Sequence, residues 1–251
     1  MSNNRFVILM PSYNCEAWIQ KGIESVRSQT YKNFKCHIID DCSTDRTAQI
    51  VQSQIEGDDR FSLTVNKERN YALHNFYEGF RHASDSDEDI LVTLDGDDWF
   101  AGDFVLDRVN KAYEETNCLM TYGSFIEYPS GVTHPYYLTP YNDQVLENSL
   151  FRDVPWKASQ LRTFKKKLWD KVKKEDLFDA ATGTFYEVTY DLAMMFPMLE
   201  MAGKRSTHIK DLIYVYNKQN PISDMYVREQ EQLQKAEEIR KKPRYSYWSE
   251  V

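Results

Sequence analysis

Along the first hundred residues the apolar positions alternate between two periods. RFVILMP (5–11) is a short unbroken apolar run closed by proline, which predicts a buried strand. EAWIQKGIESVRSQ (16–29) then spaces Ile19, Ile23 and Val26 by four and three, one face of a helix. KCHIID (35–40) is the second strand. STDRTAQIVQSQI (43–55) carries Ala48, Val51 and Ile55 on one stripe, with Ser43 and Thr44 as candidate N-caps. FSLTVN (61–66) is a third strand, ALHNFYEGF (72–80) a helix with Leu73, Phe76 and Phe80 aligned, and ILVTL (90–94) a fourth strand. This βαβαβαβ order predicts an α/β fold, a central and mostly parallel sheet with helices on both faces. In such sheets ligands bind beyond the carboxyl ends of the strands. Three of those ends are polar: PSYN, DDCSTD and DGDDW.

The second half is less regular. DFVLDRVNKAYEET (103–116) predicts a helix and CLMTYGSFIEY (118–128) a strand. YPSGVTHPYYLTPY reads as a long loop. After PWKASQLRTF comes a short helix, KKKLWDKV, then a polar loop reaching Gly183. YDLAMMFPMLEMAG (190–203) predicts a helix with Leu192, Met195, Phe196 and Leu199 inward, Gly203 as its stop and Pro197 as a kink or break. HIKDLIYVYN (208–217) closes as a strand. Residues 224–242 follow as a charged helix, and RKKPRYSYW as a short basic tail interleaved with aromatics.

Composition narrows the function classes. The 251 residues can bury one substantial core, and a formal net charge of −8 argues against non-specific nucleic-acid binding, which needs a basic face. Cys15, Cys36, Cys42 and Cys118 show no CxxC pair and no metal-ligand spacing with the five histidines, so they read as reduced thiols of a cytosolic protein. No apolar stretch approaches a membrane span. Any membrane contact is expected to be peripheral, through the basic tail, for which a solvated role is the simpler reading.

The chemistry concentrates in ILVTLDGDDWF (90–100). Carboxylates at 95 and 97, just past a strand end, can face one cleft if the chain bends at Gly96, and packed so closely they raise one another's pKa unless a cation is present. Mg²⁺ and Mn²⁺ take oxygen ligands, commonly one or two carboxylates plus substrate phosphates. A calcium loop fails on spacing: counted from Asp95, positions five and six are Trp99 and Phe100. In IIDDCSTD, Asp40 or Asp41 is placed to accept from a base or ribose, and Tyr13 could stack on a base above Pro11. Neither G-x-G-x-x-G nor G-x-x-x-x-G-K occurs, which excludes a dinucleotide fingerprint and a P-loop. Trp156, Arg162 and Tyr186 are candidate contacts for a second substrate.

PSYNCEAWIQKGIESVRSQTYKNFKCHIIDDCSTDRT, followed by LVTLDGDDWF, resembles the nucleotide-binding half of family 2 glycosyltransferases, and the likeness continues through LRTFKKKLWDKV, YDLAMMFPMLEMAG and LIYVYN. The resemblance implies a GT-A (Rossmann-like) α/β/α sandwich. Residues 1–100 would form the nucleotide-sugar-binding half, 101–220 the acceptor-binding and catalytic half, and 221–251 a C-terminal helix and tail. It implies transfer of a sugar from a nucleotide-diphosphate donor, with UDP favoured, to a glycan, lipid-linked or other hydroxyl acceptor, with inversion. By the same resemblance Pro11, Tyr13 and Asp41 contact the nucleoside, and Arg69 the base or phosphates. Asp95 and Gly96 lie by the ribose and sugar, Asp97 coordinates Mn²⁺ or Mg²⁺, and Asp98 supports it. Asp191 is the general base, with Glu187 and Asp179 as alternatives.

Three departures are informative. Tyr71 stands where the family often has glycine, and the QxxRW motif of processive members is absent, favouring one transfer per encounter. The family's Tyr-Arg-x-His ending is YNKQN here, so either Asn217, Gln219 or Asn220 replaces its contacts or the metal is held without a histidine. The competing readings are a sugar nucleotidyltransferase, whose glycine-rich basic loop after the first strand is missing, and a non-catalytic nucleotide-sugar-binding module.

Overall fold

The computed structural model describes residues 4–249. Its centre is one eight-stranded sheet. β1 (Phe6–Ser12), β2 (Phe34–Asp40), β3 (Phe61–Val65) and β4 (Ile90–Thr93) pair in parallel in the spatial order β3-β2-β1-β4. β5 (Trp99–Phe100), β6 (Met120–Tyr128), β7 (Ser159–Lys165) and β8 (Ser206–Asn217) extend it in the order β4-β7-β6-β8-β5. Only β7 and β5 run against the rest.

The helices are α1 (Ile19–Arg27), α2 (Thr47–Ile55), α3 (Tyr71–Ala83), α4 (Val105–Thr116), α5 (Asp143–Asn148), α6 (Lys166–Trp169), α7 (Tyr190–Ala202), α8 (Asp224–Val227) and α9 (Glu229–Lys241). They cover both faces of the sheet, as the strand–helix alternation predicts. β1 shows why its sequence carries no polar alternation: Phe6, Ile8 and Met10 pack with α1, α2 and α4, while Val7 and Leu9 pack with α3 and α7. α7 is buried from Leu192 to Ala202, runs unbroken through Pro197 and ends at Gly203, whose φ of +52° is a conformation glycine adopts freely.

Several elements differ from the sequence expectation. β7, β5 and α5 carry too few apolar positions, or are too short, to stand out. The predicted helix over 224–242 is two helices broken at Arg228, whose guanidinium bonds Glu187 and Glu231. Ser43 and Thr44 do not cap α2. The Ser43 hydroxyl accepts from the Asn14 N–H (3.0 Å), and the Thr44 N–H donates to Asn14 Oδ1 (2.8 Å). These residues therefore fasten the loop after β1 to the loop after β2.

The basic tail is not a free arm. Tyr245 donates to Asp176 (2.5 Å), the Trp248 N–H bonds the Met201 carbonyl, Arg205 bonds the Trp248 carbonyl, and Arg244 pairs with Asp153. Two of its aromatics, Tyr245 and Trp248, pack against the core. Under it lies a buried ion pair. Arg152 donates to both oxygens of Glu200 (2.5 and 3.0 Å) and to the Ile239 carbonyl (2.6 Å), tying α7 to α9. Both side chains are almost fully buried, so Arg152→Ala, which strands the Glu200 charge, is expected to lower unfolding free energy by about 3–5 kcal/mol in chemical denaturation.

Candidate active site

The polar strand ends meet at one cavity of about 680 Å³. β1 supplies Pro11, Ser12 and Tyr13, the end of β2 supplies Asp41, and the segment after β4 supplies Asp95, Gly96, Asp97 and Asp98. β7 contributes because it runs backwards. Ile90 lies opposite Lys165 and Val92 opposite Thr163, so the same register brings Gln160 level with Asp95. Gln160 and Arg162 thereby join the carboxyl edge from a strand's amino end.

Close packing holds the acidic segment there. The Gly96 N–H donates to the Pro11 carbonyl (3.0 Å), and a Cβ at Gly96 would meet Ser12 Oγ at 2.3 Å and Pro11 O at 2.9 Å. Trp99 and Phe100 are fixed by pairing with Val215 and Tyr214 of β8. Gly96→Ala must displace the acidic loop. We expect it to lower stability by about 1–3 kcal/mol, measured by denaturation, and to weaken donor binding in parallel.

The three carboxylates have different surroundings. Asp98 is buried with both oxygens engaged, by the Tyr214 hydroxyl (2.6 Å) and the Asn217 N–H (2.7 Å), and is a tie between the acidic loop and β8. Asp95 accepts from the Tyr190 hydroxyl at both oxygens (2.6 and 2.8 Å) and weakly from Gln160 Nε2 (3.4 Å). Asp97 accepts from Asn220 Nδ2 at one oxygen (2.7 Å). Burial raises all three pKa values, and that of Asp97 is pushed up to about 6, with the Asp95 charge adding to the effect. Of the YNKQN residues, then, Asn220 reaches the acidic cluster by its side chain and Asn217 by its backbone. Gln219 does not line the cavity.

Asp191 occupies the first turn of α7 on the same cavity, its side chain 23% exposed, and accepts from Arg162 Nη2 (3.2 Å). Its neighbour Tyr190 is the residue that reaches back to Asp95, so two consecutive residues connect α7 to the acidic loop and to β7. Sequence reasoning passed over Tyr190, whose only signal is its place beside Asp191. Of the alternative bases, Glu187 lines the cavity but pairs with Arg228 (2.9 Å), while Asp179 lies outside it and pairs with Lys235 (2.7 Å).

At the other end, the Arg69 guanidinium lies 3.6 Å from the Tyr13 ring centre, covering one face of that ring. Asp41 accepts from Asn66 Nδ2 (2.8 Å), the Asn70 N–H (2.9 Å) and the Tyr71 N–H (2.8 Å), leaving about one of its four acceptor positions free. Tyr71 has φ +63°, a left-handed conformation that tyrosine holds at a strain of about 1–2 kcal/mol. Asn75 also lines the cavity, with its Nδ2 buried and without a protein partner; it was not anticipated.

Trp156 lines the cavity and packs edge-on against Phe196. Tyr186 is a correction. It is fully buried in the core, its hydroxyl donates to Glu238 (2.9 Å), and it serves to seat α9 instead of meeting a substrate. The remaining wall was missed altogether. Asp224, Met225, Glu229, Gln232 and Leu233 of α8 and α9 close one side of the cavity, although their sequence reads only as a solvated charged helix.

Among the described residues no group of three or more His, Cys, Asp or Glu side chains is arranged to hold a metal unaided. The donor set nevertheless suits a hard divalent ion that a ligand completes: one oxygen of Asp97 is left free by Asn220, beside two further carboxylates, on the cavity wall.

Residues 7–191 match the model of Glycosyl transferase family 2. The chain is 27% identical over 119 residues to the GalNAc(5)-diNAcBac-PP-undecaprenol beta-1,3-glucosyltransferase of Campylobacter jejuni, covering 45% of this chain and 38% of that one. It spans less than half the length of the first curated relatives it matches. Its fold resembles the crystal structure of S. aureus TarS 1-349 in complex with UDP-GlcNAc (TM-score 0.62, 16% identity, 86% of this chain and 59% of that one). It also resembles mannosyltransferase PcManGT from Pyrobaculum calidifontis in complex with GDP-Man and Mn²⁺ (TM-score 0.64, 18% identity, 96% and 66%). These likenesses establish a GT-A fold.

Proposed function

The chain belongs to glycosyl transferase family 2, and from that premise we propose that it transfers a sugar, with inversion, from a nucleotide-diphosphate donor to a hydroxyl acceptor, using Asp191 as general base. The observation that carries this reading is that Asp191 and the DGDD segment line one cavity of substrate size. UDP is the favoured nucleotide, in line with the UDP-GlcNAc held by TarS. A lipid-linked acceptor is favoured by the name of the Campylobacter relative.

The roles divide along the cavity. Tyr13, Arg69 and Asp41 hold the nucleoside end, with Pro11 beneath. Asp95, steadied by Tyr190, and the bare backbone of Gly96 meet the ribose and sugar. Asp97 would hold a divalent ion, which when bound neutralises the leaving diphosphate. Asp191 takes the proton of the attacking hydroxyl, and Arg162 fixes the direction of its carboxylate. Attack from the side of Asp191, away from the diphosphate, inverts the anomeric centre in one displacement. Trp156 and the α8–α9 wall border the acceptor side and limit water there.

A thermal-shift screen of nucleotide diphosphates and nucleotide sugars tests the reading. Stabilisation should grow with ligand concentration and require Mn²⁺ or Mg²⁺. Donor turnover assayed alongside it separates an enzyme from a binding module. No stabilisation by any nucleotide diphosphate would contradict the reading.

A further inference from the structure

Three residues that line the cavity carry a buried polar atom without a hydrogen-bond partner in the protein: Asn75 at Nδ2 and, on β7, Gln160 at Oε1 and Arg162 at Nη1. The two β7 side chains are both more than nine-tenths buried. They stand two residues apart on β7, and therefore on one face of the sheet. Their other polar atoms are committed. Gln160 Nε2 points to Asp95 (3.4 Å), Arg162 Nη2 to Asp191 (3.2 Å), and Arg162 Nε to the Ala158 carbonyl (3.3 Å). What remains is one acceptor atom and one donor atom, on side chains whose other ends bond Asp95 and Asp191.

An unpaired buried donor or acceptor costs about 1–3 kcal/mol, and folded proteins keep few of them. Two on one strand, both at the cavity, are better explained by a ligand that satisfies them. Resting on the transferase reading, we infer that Gln160 and Arg162 form the subsite of the transferred sugar and select a neutral sugar with free hydroxyls. Position supports this, because the sugar must lie between the leaving diphosphate and the base. Hydrogen-bond sense supports it as well, because a hydroxyl can donate to Gln160 Oε1 and accept from Arg162 Nη1, whereas a carboxylate can only accept. Arg162 already holds Asp191 (3.2 Å), so its guanidinium is not a free counter-ion for the carboxylate of a uronic-acid donor.

The test compares wild type with Gln160→Met in the presence of Mn²⁺. Calorimetry measures UDP, UDP-glucose, UDP-galactose, UDP-GlcNAc and UDP-glucuronate, and GDP with GDP-mannose if UDP does not bind. In the wild type the best neutral sugar nucleotide should bind at least about tenfold more tightly than UDP-glucuronate. Gln160→Met should keep nucleotide-diphosphate affinity within about twofold and lose about tenfold of the advantage that the sugar adds. Its Tm should be equal or higher, because an unsatisfied acceptor has been removed. Unchanged sugar discrimination in the variant, equal binding of UDP-glucuronate in the wild type, or a fall in Tm together with lost nucleotide affinity would each overturn the inference and leave the transferase reading standing. Absence of nucleotide binding in the wild type would overturn both.

Discussion

Asp191→Asn is expected to bind donor within about twofold of the wild type and to transfer sugar at least about a hundredfold more slowly, within the 10²–10⁴ range of general-base catalysis. Asparagine matches the carboxylate in size, and its amide oxygen still accepts from Arg162, which now approaches at 3.2 Å. The change therefore removes basicity and little geometry. Single-turnover rates at saturating donor and acceptor isolate the chemical step. Full activity in this variant would move the base elsewhere, and Glu187 would come next, since it also lines the cavity. It would first have to leave Arg228. Asp179, held by Lys235 outside the cavity, would not become a candidate.

Asp97→Ala is expected to weaken donor binding in Mn²⁺ by at least about a hundredfold, roughly 2.7 kcal/mol, as an ion–oxygen contact and its charge balance are lost together. Without the ion, Asp97→Ala should bind donor no worse than wild type, because Asp97 alone only adds negative charge near the diphosphate. Asp98 differs in kind. Both of its oxygens are bound to β8 residues, so it shapes the loop that presents Asp97. Titrating Mn²⁺ at fixed nucleotide in each protein separates an ion-linked loss from a general weakening.

The parts of this fold that sequence shows best are those whose burial is uniform. β1 and β4 are apolar runs because both of their faces are covered, and the order of strands and helices around them leads directly to a cavity at their carboxyl ends. β7 was illegible for the opposite reason. SQLRTFK mixes Gln160 and Arg162, which face the cavity, with Thr163, which bonds Tyr113 and Thr121, so a fully buried strand carries no hydrophobic period. Tyr186 misled in the same way. An aromatic in a polar loop reads as a contact for a sugar, yet this one is core because α9 lies over it. That helix was itself hidden by its charge, since Arg228, Lys235 and Arg240 are spent on ion pairs and carbonyls that seat it against the body. Tyr71 holds a left-handed φ of +63° while Asp41 accepts from the backbone N–H of Asn70 and of Tyr71 itself.

The account rests on a separation of duties between two carboxylates, Asp97 and Asp191, that line one cavity. The most direct measurement determines donor affinity, with and without Mn²⁺, and single-turnover transfer for Asp97→Ala and Asp191→Asn side by side. The account predicts that Asp97→Ala loses the Mn²⁺-dependent part of donor binding, and that Asp191→Asn keeps that binding and loses transfer. Retained Mn²⁺-dependent binding in Asp97→Ala, or undiminished transfer in Asp191→Asn, would contradict it.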